Sequence, residues 1–67
     1  MKITNEQEIA VAHMIERWRL RLAESRRRLD DTDEIRADCF LYGAESVLLK
    51  IGMNKLADLA RKAQGQP

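Results

Sequence analysis

The chain contains one cysteine, Cys39, and one histidine, His13, among its 67 residues. A single cysteine excludes a disulfide within the chain, and one cysteine with one histidine argues against a Cys/His metal cluster. The only proline is the last residue, and aromatic residues make up only 4% of the chain. With 34% charged residues and no internal proline, the composition predicts an all-α protein rather than a disordered tail. The net charge is only +1, so no overall field favours an acidic partner.

The short length limits the core that the chain can build alone. A domain of this size buries only about 60% of the surface that its unfolded chain exposes. Because disulfides and metal clusters are excluded as sources of stability, oligomerisation is the remaining common route. We therefore expect a single helical domain, residues 1–67, that associates with itself.

Helix 1 is predicted over about residues 5–29. Thr4 and Gln7 fit a capping box at its start. Apolar residues then recur at alternating spacings of four and three, as in the seam of a helix pair. The stripe consists of Val11, Ile15, Trp18, Leu22, Ser25 and Leu29, with Ser25 as its one polar member.

Helix 2 is predicted over about residues 33–63, with a possible kink at Gly52. Asp31 or Thr32 fits its N-cap, and the short turn before it favours an antiparallel helical hairpin. Sorting helix 2 at about 100° per residue gives two apolar stripes. The first is Ile35, Cys39, Tyr42, Leu49, Met53, Leu56, Ala60 and Ala63; the second is Phe40, Leu41, Ala44, Val47, Leu48 and Ile51.

Two apolar faces on one helix require two partners. The first stripe has the length and heptad spacing to pair with helix 1, which leaves the second stripe for another molecule. We therefore predict a homodimer, a four-helix bundle of two hairpins. Its predicted dimer interface is Phe40, Ala44, Val47, Leu48 and Ile51. The alternative is a three-helix monomer in which Gly52 lets residues 54–63 fold back over the second stripe.

Charge is concentrated around the predicted turn. Residues 17–28 contain six arginines and one glutamate, and the next segment, residues 30–38, contains five acidic residues and one arginine. In an antiparallel hairpin these segments face each other, so we expect ion pairs between them. Arginines on other sides of helix 1 stay free to bind a partner, and the candidates are Arg17, Arg19, Arg21 and Arg28. A small nucleic-acid-binding protein that uses these arginines is the alternative function.

No catalytic, cofactor-binding or metal site is predicted. A nucleophile needs a nearby base with a third group to orient it, and His13 has no evident carboxylate around it. The apolar run from Cys39 to Met53 is too short to span a membrane and carries Glu45 and Lys50. Met1 to Glu6 has no apolar run suited to secretion. We expect a cytoplasmic protein that is not an enzyme and has no membrane partner.

The second half of the chain resembles a known group of proteins. The resemblance depends on the acidic turn of residues 31–34, the basic pair Arg61 and Lys62, and a set of residues between them. That set is Tyr42, Glu45, Ser46, Leu49, Gly52 and Leu59. The group is the small helical-hairpin proteins of temperate bacteriophages that silence host quorum-sensing activators and block pilus-assembly ATPases. The resemblance covers residues 30–66, and helix 1 is richer in arginine here. It implies a non-catalytic adaptor or inhibitor that binds a host protein.

Overall fold

A computed structural model describes residues 3–65 of the chain. Residues 1, 2, 66 and 67, which the predicted single domain includes, lie outside that range. The described chain forms three helices: α1 (Asn5–Arg27), α2 (Asp31–Lys50) and α3 (Asn54–Ala63). The all-α prediction is confirmed.

The start of α1 is set by the predicted capping box. The Thr4 hydroxyl accepts a hydrogen bond from the Gln7 backbone N–H at 3.1 Å, and the Gln7 side-chain oxygen accepts one from the Thr4 N–H at 2.9 Å. These bonds satisfy two backbone donors that a helix start would otherwise leave open. The predicted start at residue 5 is confirmed.

The turn after α1 depends on a leucine in a left-handed conformation. The Leu29 N–H donates to the Arg26 carbonyl at 3.2 Å, and the Asp30 N–H donates to the Ser25 carbonyl at 2.9 Å. This pair of bonds is a Schellman motif, whose C′ residue has positive φ and is usually glycine. Here it is Leu29, with φ of +56°. Helix α1 therefore ends at Arg27, two residues before the predicted end.

Helix α2 begins at Asp31, earlier than predicted, because Asp30 is its cap. The Asp30 carboxylate accepts from the Asp33 N–H at 3.1 Å. The predicted caps, Asp31 and Thr32, instead lie in the first turn of α2.

Gly52 divides the predicted second helix into two. Its φ is +83°, and a second Schellman motif surrounds it. The Gly52 N–H donates to the Leu49 carbonyl at 3.1 Å, and the Met53 N–H donates to the Leu48 carbonyl at 2.8 Å. The predicted interruption at Gly52 is confirmed, whereas a continuous helix over residues 33–63 is wrong.

After this break α3 folds back and packs against both α1 and α2. Its inner face is built largely from alanine, which lets the helices approach closely. The buried hydrophobic residues of the three helices are Ile15, Leu22, Ala37, Leu41, Leu48, Leu56, Ala57, Ala60 and Ala63. Ser25 is buried among them and is satisfied within α1, since its hydroxyl donates to the Leu22 carbonyl at 2.8 Å.

The assignment of the two α2 stripes is the reverse of the prediction. Leu41 and Leu48, from the second stripe, are buried at 0% and 7% exposure. Ile35, Tyr42 and Leu49, from the first stripe, are 62%, 65% and 53% exposed. The physical reason is the fold-back of α3, because the second stripe lies where α2 meets two helices of its own chain. The first stripe, over the length of α2, is left on the outside.

Candidate protein-binding groove

An open groove runs along the α1–α2 contact. Its lining contains no charged residue, and its one ionisable side chain is the Cys39 thiol. Val11 of α1 forms one wall, and the remaining lining comes from α2. Those residues are Cys39, Phe40, Gly43, Ala44, Val47 and Leu48. Leu48 belongs to the core, whereas Val47 is 61% exposed. The groove is therefore the place where the hydrophobic core reaches the surface.

Helix α3 does not cover this groove. The Gln64 side chain, just after α3, donates to the Glu45 carboxylate at 2.9 Å, which places the end of α3 along that flank of α2. Val47 is two residues after Glu45 and so lies about 200° around the helix, on the other flank. The fold-back thus fills one side of α2 and leaves the other open.

An aromatic pair marks one end of the groove. The rings of Trp18 and Phe40 stack with centroids 4.4 Å apart and an interplanar angle of 19°. The Arg21 guanidinium carbon lies 5.0 Å from the centre of the Trp18 ring, in cation–π geometry. Met14, Arg17, Trp18 and Arg21 line a recess beside this pair. The apolar groove therefore passes into a recess bordered by two arginines.

The five residues predicted for a dimer interface are used mainly inside the protomer. Leu48 is part of the core, and Phe40, Ala44 and Ile51 are partly buried against it. Only Val47 keeps most of its surface exposed. The prediction groups these residues on one face correctly but assigns that face to a second molecule. The structure instead has the fold-back of residues 54–63 that the alternative describes.

Most of the arginines proposed for partner binding are engaged in ion pairs. Arg21 and Arg28 both reach Asp33, with shortest N–O distances of 3.2 and 3.5 Å. Arg26 similarly pairs with Glu34 at 2.8 Å. These contacts confirm that the basic end of α1 faces the acidic start of α2. The close turn at residues 28–30 brings the two segments together.

Arg19 pairs within α1 instead. Its guanidinium donates to the Glu16 carboxylate at 2.9 Å, and this hydrogen bond lowers the pKa of the Glu16 carboxyl. The same bond raises the pKa of Arg19. Arg17 is the one predicted partner-binding arginine without an ion pair among residues 3–65. It lies in the recess beside Trp18, at the end of the groove.

The groups considered for chemistry lie apart from one another in the described chain. His13 and Cys39 are exposed on different helices. Within residues 3–65, no three side chains of His, Cys, Asp or Glu are grouped so that they could hold a metal ion. None of the three helices is long and apolar enough to cross a membrane.

Two features of the structure are not predicted by the sequence. One is the outward position of Ile35, Tyr42 and Leu49, although their heptad spacing was visible. The other is the positive φ of Leu29, for which the sequence carries no signal, because leucine is not a residue expected at that position.

Fold and surface together define a small three-helix protein with an open apolar groove. No protein-family model, curated protein or solved structure matches the chain.

Proposed function

We propose that the chain is a non-catalytic protein-binding module that acts as an adaptor or inhibitor. The observation that supports this most strongly is the groove lined by Val11, Phe40, Gly43, Ala44 and Val47. A continuous apolar surface at the edge of a core is typical of protein interaction sites. Water covers it in the free protomer, so a partner that displaces that water gains the free energy of burying apolar surface.

The proposed occupant is an amphipathic helix of another protein. A groove between two helices accepts the apolar side of a third helix, with anchors one turn apart. Arg17 at its end has no acidic partner among residues 3–65 and favours an acidic residue on the incoming helix. Binding there would block whatever the partner helix normally contacts, so the mechanism is steric occlusion. If the chain is phage-encoded, as its resemblance implies, the target is a host protein in the cytoplasm.

The functional unit in this proposal is a homodimer. The predicted four-helix bundle of two hairpins becomes a pair of three-helix protomers, because α3 occupies part of the α2 surface that the hairpins were to share. Ile35, Tyr42 and Leu49 remain exposed for self-association.

The alternative function, nucleic-acid binding by the arginines of α1, gains no support from the geometry. Arg19, Arg21 and Arg28 already neutralise carboxylates. A phosphate backbone would have to compete with these intrachain ion pairs for the same guanidinium groups.

Comparative affinity capture from the source cells tests the proposal. Val47→Asp places a charge in the groove, and Leu20→Asp places the same charge on exposed α1 surface, where the leucine is 55% exposed. We expect the native chain and Leu20→Asp to capture the same protein and Val47→Asp to lose it. Helicity of both variants, measured by circular dichroism, confirms that they fold. Capture of that protein by folded Val47→Asp at the native level would refute the groove as the binding site.

A further inference from the structure

The outer face of α2 carries a heptad seam that nothing in residues 3–65 covers. Ile35, Cys39, Tyr42, Ser46 and Leu49 are all exposed. Their spacings are four, three, four and three, so Ile35, Tyr42 and Leu49 occupy d positions and Cys39 and Ser46 occupy a positions. We call these five residues the outer seam. Large residues therefore alternate with small ones along the outer seam.

The charged residues that flank the outer seam are sorted by sign between its two sides. In this heptad assignment Asp31, Asp38 and Glu45 fall at g positions, and Arg36 and Lys50 fall at e positions. One side of the seam is therefore acidic and the other basic. Such sorting of charge at e and g specifies which orientation of a second helix is favourable.

In a parallel pair, each g residue faces the e residue five positions later on the other helix. Asp31 then meets Arg36 of the second copy, and Glu45 meets Lys50. Two-fold symmetry repeats both contacts. In an antiparallel pair, g faces g and e faces e, which brings acidic groups together on one side and basic groups together on the other.

The flanking charges are also free to make these contacts. Asp31, Arg36, Asp38 and Lys50 form no ion pair within residues 3–65, in contrast to the arginines near the turn. From the described part of the chain, Glu45 accepts a side-chain hydrogen bond only from the neutral Gln64 amide. The unpaired charges of α2 thus lie beside an apolar stripe that the protomer leaves exposed.

We propose that the outer seam pairs with the outer seam of a second copy, with the two α2 helices parallel. This inference rests on the homodimer of the proposed function and adds its surface, its orientation and its register. The dimer axis runs along α2, so Cys39 meets Cys39 and Ser46 meets Ser46. Val47 and Phe40 lie outside the seam, whereas Cys39 belongs both to the seam and to the lining of the groove. The proposed dimer interface therefore adjoins the groove along that edge.

Disulfide cross-linking tests the orientation. Cys39 and Ser46 are seven residues apart, about 10 Å along the helix. An antiparallel pair can bring at most one of these positions opposite itself, whereas a parallel pair brings both, within the short Cα separation that a disulfide needs. The samples are the native chain and the Cys39→Ser/Ser46→Cys variant, each oxidised with diamide. Cys39→Ser/Ala23→Cys is the control, since Ala23 is exposed on α1.

We expect both seam cysteines to form covalent dimers at least about tenfold faster than the control, because pairing raises the effective thiol concentration. Failure of either Cys39 or Ser46→Cys to cross-link to itself faster than the control would overturn the inference, because a parallel pair brings both positions opposite themselves and an antiparallel pair places a opposite d. Rates equal to the control for both positions would overturn it as well. If sedimentation still shows a dimer in either case, the homodimer of the proposed function stands and only its surface or orientation is wrong.

A charge swap gives an independent readout. Lys50→Glu places like charges opposite Glu45 of the second copy and should weaken dimerisation about tenfold, while Lys50→Glu with Glu45→Lys should restore it. Circular dichroism at low concentration checks that each protomer remains helical. Unchanged dimerisation of folded Lys50→Glu, or a double variant weaker than the single one, contradicts the parallel register.

Discussion

Two neighbouring leucines, Leu48 and Leu49, should lose very different amounts of stability when each is truncated to alanine. Leu48 is 7% exposed and packs in the core, whereas Leu49 is 53% exposed on the outer seam. Leu48→Ala removes a buried side chain and leaves a cavity, so the free energy of unfolding should fall by about 2–5 kcal/mol. A domain of this length has only about 3–10 kcal/mol in total. The Leu48 variant is therefore expected to be largely unfolded or close to it.

Leu49→Ala should lower the stability of the protomer by less than about 1 kcal/mol. Only half of the Leu49 side chain is removed from water, and alanine favours the helix slightly more than leucine does. Because the two substitutions are chemically identical and adjacent in one helix, each serves as the control for the other. Their difference measures which side of α2 faces the core.

The assay is urea unfolding followed by far-ultraviolet circular dichroism, at concentrations low enough for the protomer to be monomeric. If the native chain self-associates as proposed, its Tm should rise with concentration, and the Leu49 variant should lose that dependence. Equal losses for the two variants, or a larger loss for Leu49→Ala in the monomer, would refute the assigned orientation of α2.

Three further results are expected. Leu29→Gly should stabilise the protein by about 0.5–1 kcal/mol in urea unfolding, because Leu29 is exposed and has positive φ; a destabilised variant would contradict this. Gly52→Ala should destabilise the protein by about 1–2 kcal/mol, because alanine adopts the positive φ of Gly52 less readily than glycine does. Unchanged stability would show that this positive φ is not required at the turn between α2 and α3. Trp18→Ala should abolish the stack on Phe40 and reduce stability by about 3 kcal/mol. This loss is at the low end for a tryptophan because the ring is partly exposed. A loss below about 1 kcal/mol would show that the stack contributes little.

Helix caps and helix breaks could be predicted from the sequence, because each depends on residues that are close together in the chain. The capping box of Thr4 and Gln7 and the break at Gly52 each involve only a few consecutive positions, and both are present. The pairing of arginines with the acidic start of α2 also followed, since a short turn brings the two segments together.

The orientation of α2 could not be predicted in the same way. Helical periodicity shows which residues share a face, and it separated Leu48 from Leu49 correctly. It does not show which face meets a neighbouring helix, because that depends on contacts between distant segments. Here the contact is the return of α3, whose alanine-rich face packs closely against α1 and α2. The interruption at Gly52 permits this return, and the three-helix alternative includes it, but the periodicity of α2 does not favour it over contact with a second molecule.

The central claim is that α2 has two apolar faces, one used within the chain and one left for a second copy. Sedimentation equilibrium of the native chain and of Leu49→Asp, over micromolar to millimolar concentrations, tests it most directly. The account predicts a concentration-dependent dimer for the native chain and a folded monomer for Leu49→Asp, with Leu20→Asp still dimeric. A native chain that remains monomeric throughout, or a Leu49→Asp variant that dimerises as well as the native chain, would contradict it.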